Sequence, residues 1–141
     1  MPPATRDAWL QELDQLLNRL SCRLRRGSRD DSGLTFAQFH LLRRLEGKAA
    51  TVSELADDLG VSLSSVTGLT DRLVKCELVT RERGRGDRRV VHVAITRRGT
   101  ELLTRIQIRR RELLAEYFKE LTDTEVQETI RLLRTAGPRE G

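Results

Sequence analysis

The sequence predicts a mainly α-helical fold with one small β-hairpin, and three observations predict it. Apolar residues recur at helical spacing, beginning with Trp9, Leu10, Leu13, Leu16, Leu17, Leu20 and Leu24. Threonines and serines stand where helices should begin, several followed three residues later by Glu or Gln. Between Leu78 and Ile95 the pattern changes to two short β-rich runs around a glycine-containing turn.

Composition sets the bounds. A chain of 141 residues is expected to form one domain, 1–141, with its own core. Hydrophobic residues make up 38% and charged residues 33%, but aromatics only 4%, so the core must rely on Leu, Val, Ile and Ala. No apolar run approaches the roughly 18 residues of a membrane span. The start, Met1 to Asp7, leads into an amphipathic segment and not an apolar signal core. The expected location is the cytoplasm, with no membrane contact.

The net charge is +5 and the isoelectric point about 10.0. Such an excess points to an anionic partner, nucleic acid first, the plain alternative being a merely soluble basic protein. From Leu78 to Gly99 seven arginines (Arg81, Arg83, Arg85, Arg88, Arg89, Arg97 and Arg98) face only Glu82 and Asp87. The remainder of the chain is near balance, so the surplus is gathered as a phosphate-binding surface requires.

Cys22 and Cys76 lie far apart and lack metal-ligand spacing, and two cysteines do not make a disulfide framework at this size. Both are expected to be reduced and partly packed in helices. Cys22 stands beside Arg23, Arg25 and Arg26, which keeps a redox-sensing role open.

The first helix is expected over 5–27, capped at its C-terminus by Gly27. Its leucine stripe can be core or a partner-helix surface, and the few neighbours of an N-terminal helix favour a dimer contact. Arg29 to Gly33 reads as a loop. Thr35-Phe36-Ala37-Gln38 is a capping box opening a short helix with Phe36, Phe39, Leu42 and Leu45 buried, ended by Gly47. Thr51-Val52-Ser53-Glu54 opens another, with Val52, Leu55, Ala56 and Leu59 inward and Gly60 as the stop. Ser62 then caps a helix carrying Val66, Leu69, Leu73 and Val74.

Two short helices joined so tightly form a helix-turn-helix pattern. Ala56 is the small residue that close helix approach needs, and Gly60 supplies a turn with positive φ. Val66 packs the second helix back, with Leu55, Leu59, Val61 and Leu69 filling the core between. An ordinary helical hairpin has the same core logic. The strands that follow, Leu78 to Arg81 and Val90 to Ile95 around Gly84-Arg85-Gly86-Asp87, make a wing and favour the first reading. Thr96 caps a long helix bearing Leu102, Leu103, Ile106, Leu113, Leu114, Tyr117 and Phe118. Thr122-Asp123-Thr124-Glu125 opens a last helix with Val126, Ile130 and Leu133, ended by Gly137-Pro138.

A winged helix-turn-helix centred on Val52–Ile95 is expected to read duplex DNA, its second helix in the major groove. The exposed positions there are Ser62, Ser64, Ser65, Thr67, Gly68 and Asp71. Hydroxyls bond to bases or phosphates, and a Thr methyl touches thymine. Ser62 reads better as the cap, while Ser64, Ser65 and Thr67 read as DNA contacts, against the alternative of a solvated face. Gly68 permits close backbone approach, and Arg72 and Lys75 suit phosphates. On the wing, Arg85, Arg88 and Arg89 surround Gly86 and Asp87. Arginine in a narrow minor groove reads shape, and Asp87 would hold a neighbouring arginine by ion pairing; a solvated charged turn is the alternative.

Thr35-x-x-Gln38-Phe39-x-x-Leu42, Val52-Ser53-Glu54-Leu55-Ala56, Asp87-Arg88-Arg89 and Val93-x-Ile95-Thr96-x-x-Gly99 together resemble the MarR family of bacterial regulators, over nearly the full chain. The resemblance implies a homodimer with interlocking N- and C-terminal helices, 5–27 and 97–136, and a winged helix-turn-helix lobe, 35–95. It implies binding to a palindromic operator, usually as a repressor, with release by a small aromatic or lipophilic effector or by thiol oxidation. It makes Arg88 the minor-groove arginine and Asp87 and Arg89 the residues that order the wing. By the same analogy Phe39 and His40 would line an effector pocket. Redox-sensing relatives support a cysteine close to the N-terminus with tyrosines, whereas this chain has Cys22 within its first helix and one tyrosine, Tyr117.

An enzyme is not expected. There is no Gly-rich phosphate loop or nucleophile motif, and His40 and His92 are thin material for a metal site. No cofactor or metal is implied. A protein-interaction module is the third class, but such a wing has no need of the surplus charge.

Overall fold

A computed structural model describes residues 4–27, 33–84, 86 and 89–137. In chain order the elements are α1 (Arg6–Gly27), α2 (Phe36–Arg44), β1 (Ala50–Thr51), α3 (Val52–Leu59), α4 (Leu63–Lys75), β2 (Val79–Arg83), β3 (Val91–Ile95), α5 (Arg97–Tyr117) and α6 (Asp123–Ala136). The fold is mainly α with a small antiparallel sheet, a winged helix-turn-helix.

Local chemistry sets the helix starts. Thr35, Thr51 and Thr122 each form a reciprocal capping box, with Gln38, Glu54 and Glu125 respectively. Ser62 and Thr96 cap α4 and α5 through the amides of Ser65 and Gly99. Each cap satisfies amides that a helix start otherwise leaves unpaired. Gly60 takes φ 65° at the end of α3. The turn is then closed by the Val61 amide donating to the Ala56 carbonyl at 3.1 Å.

The core lies where α2, α3, α4, the sheet and the first half of α5 meet. Leu41, Leu42, Leu45, Leu55, Val66, Leu73, Val79, Val93 and Leu103 are all but fully buried there. Gly99 is also buried, and the site needs glycine because a Cβ would collide with the Leu78 carbonyl. Thr96 fastens the same junction, its amide donating to Leu78 O at 3.0 Å and its hydroxyl to Glu77 O at 2.7 Å.

Several expectations need correction. The sheet has three strands in the order β1-β3-β2, with Ala50 opposite Val93 and Thr51 opposite His92. Ala50–Thr51 is too short for period-two alternation to register. The wing strands run Val79–Arg83 and Val91–Ile95, with Arg81 opposite Val93. Phe36 and Val61 are exposed, not core: Leu41 occupies the buried face of α2, and Val61 lies in the turn. Gly27 belongs to α1 itself, and its missing side chain makes room for Leu113 of α5. The close approach of α5 thus gives that glycine a packing role at the helix end.

α1 has no buried residue, and neither has α6. Leu20 and Leu24 are half-buried, whereas Trp9, Leu10, Leu13, Leu16 and Leu17 are exposed, as are Leu132 and Leu133. Among the described residues no helix is long and apolar enough to cross a membrane.

Candidate nucleic-acid interface

The helix-turn-helix places α4 with one face on the core and the other outward. Val66, Thr70 and Leu73 are buried. Ser62, Ser64, Ser65, Thr67, Gly68, Asp71, Arg72 and Lys75 are exposed, so the structure brings the expected recognition residues to one open surface. Nothing lies within 4 Å of the place a Gly68 Cβ would take, and the backbone there is open to approach.

The hydroxyls at the start of α4 are already engaged. Ser62 Oγ accepts the Ser65 amide at 3.2 Å, donates to Ser65 Oγ at 2.8 Å and lies 3.2 Å from Ser64 Oγ. Thr67 Oγ1 donates to the Leu63 carbonyl at 2.9 Å. Two exposed aliphatic side chains, Val61 and Leu63, flank this group. Sequence reasoning assigned Val61 to the core and gave Leu63 no role, because periodicity does not tell a covered apolar residue from an open one.

Asp71 finds a partner in Arg81 of β2. The pair joins the outward face of α4 to the wing and offsets a carboxylate that would otherwise repel DNA. No local signal couples residues 71 and 81; the hairpin's return past α4 does. Arg98 similarly reaches Glu77 at 3.3 Å. Glu77 carries φ 61°, a left-handed conformation that favours glycine, at the turn from α4 into β2.

On the wing, Arg81, Arg83 and Arg89 are exposed. Arg85, Asp87 and Arg88 lie outside the described residues.

A second cluster forms where α1, α2 and α5 meet. Phe39 is buried, and His40 packs edge-on against Phe36 and Phe39, with centroids at 4.2 and 5.5 Å. Arg110 stacks over Phe39 at 5.2 Å and Arg25 over Phe36 at 4.9 Å. The Nη1 atom of Arg110 is buried without a hydrogen-bond partner. Burial, then Arg110, then Arg43 hold His40 below its ordinary pKa of 6.5. Burial and then Arg43 push Arg110 down as well. The cluster is therefore aromatic and cationic together. Arg110 escapes sequence reasoning because the run Arg109-Arg110-Arg111 reads as a solvated helix face.

Cys22 and Cys76 are exposed free thiols. Cys22 borders a groove it shares with Arg19, Arg23, Arg26 and Tyr117, where Arg23 sits over the Tyr117 ring at 5.6 Å. Folding thus brings the sole tyrosine and Cys22 to one groove. Among the described residues no group of His, Cys, Asp or Glu is arranged to hold a metal.

Comparison with known proteins agrees with this architecture. The model of the MarR family matches residues 32–90. The uncharacterized HTH-type transcriptional regulator YpoP of Bacillus subtilis is 32% identical over 130 residues, 90% of this chain and 92% of the relative. The HTH-type transcriptional repressor MdtR of the same organism is 32% identical over 100 residues, 70% of this chain and 64% of the relative. Among solved structures, BpsR of Bordetella bronchiseptica, whose DNA binding is regulated by 6-hydroxynicotinic acid, superposes with a TM-score of 0.69 at 26% identity. That match covers 88% of this chain and 97% of BpsR.

Proposed function

We propose, because this chain belongs to the MarR family of DNA-binding transcriptional regulators, that it is a homodimeric repressor of a palindromic operator, released by a small effector. The observation that carries the DNA-binding half is the open face of α4 beside a wing whose sequence sets five arginines against only Glu82 and Asp87. Two such lobes place two α4 helices in successive major grooves, roughly one DNA turn apart. Arg72 and Lys75 take phosphates. Arg88 takes the flanking minor groove, with Arg85 beside it and Asp87 and Arg89 ordering the wing, as the Asp-Arg-Arg match implies. The exposed leucines of α1 supply the dimer contact, with the apolar residues of α6. Repression follows the example of MdtR.

The effector half rests on the aromatic and cationic cluster of Phe39, His40 and Arg110. The acid group of an aromatic effector pairs with the Arg110 guanidinium. BpsR answers to a small aromatic acid of this kind. The groove of Cys22 and Tyr117 favours a second reading, release by thiol oxidation. Oxidant that still releases DNA from a Cys22→Ser variant would end it.

Fluorescence anisotropy on the chain's own promoter tests the principal reading. Affinity should fall steeply between low and moderate salt. Arg88→Ala should lower it by about 1–3 kcal/mol. Small aromatic acids should dissociate the complex, and Arg110→Met should abolish that response while leaving DNA binding in place. Salt-independent binding, or an undiminished response in Arg110→Met, would refute the corresponding half.

A further inference from the structure

We infer that α4 reads its operator chiefly by apolar contact with thymine methyl groups, through Leu63 and the γ-methyl of Thr67. The inference rests on the assignment of α4 as the DNA-reading helix and names the base feature it reads.

From Val61 to Thr70 the chain has no charged and no amide side chain. The side chains that make bidentate hydrogen bonds to guanine or adenine edges are Arg, Lys, Asn and Gln. None stands in the half of α4 that meets the bases. The polar groups that do stand there are short and engaged. Ser62, Ser64 and Ser65 form a connected set of hydroxyls around the helix cap. Thr67 turns its hydroxyl back to the Leu63 carbonyl at 2.9 Å. With its one O–H spent there, Thr67 has its methyl to offer beside an oxygen that can only accept.

Leu63 is 55% exposed, an apolar side chain that the core does not claim. Leu63 and Thr67 are four residues apart, one helical turn, and so share an edge of α4. Gly68 lies beside Thr67 with open space over its backbone, and no side chain there holds the helix away from the groove floor. Asp71, one turn beyond Thr67, is taken up by Arg81 and does not contact bases as a free acceptor. Arg72 and Lys75 lie toward the end of the helix, where phosphates are met. The major-groove edge of thymine is the one natural base edge that presents a methyl group, at C5. An apolar edge framed by phosphate-binding cations fits that group.

The test begins with selection of duplexes from a randomised library by the full chain. Each thymine of the best duplex is then replaced by deoxyuridine, which removes the methyl and keeps every hydrogen-bonding group. At one or two positions per half-site, affinity should fall about fourfold, the factor given by burying one methyl-sized group. The loss should vanish in Leu63→Ala or Thr67→Ser at the position that each side chain contacts, the signature of direct coupling. Thr67→Val, which keeps the methyl and loses the hydroxyl, should bind more tightly than Thr67→Ser, which keeps the hydroxyl and loses the methyl. Circular dichroism confirms that each variant is folded. Deoxyuridine substitution without effect at every position, or Thr67→Val weaker than Thr67→Ser, overturns the inference and leaves DNA binding intact. A pool with no enriched duplex overturns sequence-specific binding itself, and this inference with it.

Discussion

Burial and two guanidiniums hold the His40 imidazole below its ordinary pKa of 6.5. The unfolded chain therefore takes up this proton before the folded one does. The associated stability is present above about pH 6.5 and is lost as the pH falls toward the folded value. Urea unfolding at about pH 7.5 and about pH 5.5 should show a larger loss for the parent chain than for His40→Gln. Equal losses would remove His40 from the account. Legibility at this scale follows range. Thr35, Thr51 and Thr122 announce their capping boxes because both partners lie within four residues. Arg110 does not announce its place, because the Phe39 ring it covers lies on another helix.

The turn from α4 into β2 and the start of α5 form one joint. Glu77 enters it with φ 61°, and Thr96 ties α5 to the Leu78 and Glu77 carbonyls. Gly99 lets that helix sit against the Leu78 backbone. Gly99→Ala should destabilise the chain by about 1–3 kcal/mol, the usual cost of overpacking where the neighbour is backbone. An unchanged urea midpoint would contradict this. The Asp71–Arg81 pair is half exposed on both sides, so its contribution to stability is at most about 1 kcal/mol. Its consequence is orientation: it holds the wing strand β2 against the outward face of α4. The helix-turn-helix itself was legible, since Ala56, Gly60 and Val66 lie within one short stretch. The strand Ala50–Thr51 was not, since a strand of two residues exists only through its pairing with Val93 and His92.

At the scale of the whole molecule, most of the exposed large apolar side chains among the described residues lie on α1 and α6. Trp9 is 59% exposed and Leu133 63%, in helices that bury no residue of their own. Exposed apolar faces of that kind are the expected mark of a protein interface. Leu13→Glu with Leu17→Glu should convert the proposed dimer to monomers in sedimentation, with helicity retained. Operator affinity should fall with it, since one lobe alone forfeits the gain of two linked sites. A double variant that sediments as the parent chain does would move the interface elsewhere.

Some features the sequence determined by itself: helix starts, the Gly60 turn, the pairing potential of the wing, and the concentration of positive charge from Leu78 to Gly99. Each depends on residues close in the chain, where spacing alone settles the geometry. The tertiary structure decided which apolar faces are core and which stay open, so that Leu41 is buried while Phe36, Val61 and Leu63 are not. It also decided that Arg110 lies over Phe39, that Tyr117 and Cys22 line one groove, and that Arg81 takes up Asp71. The physical reason is that a helix's periodicity marks an apolar face but not the neighbour that covers it. That neighbour is set by how helices distant in the chain cross.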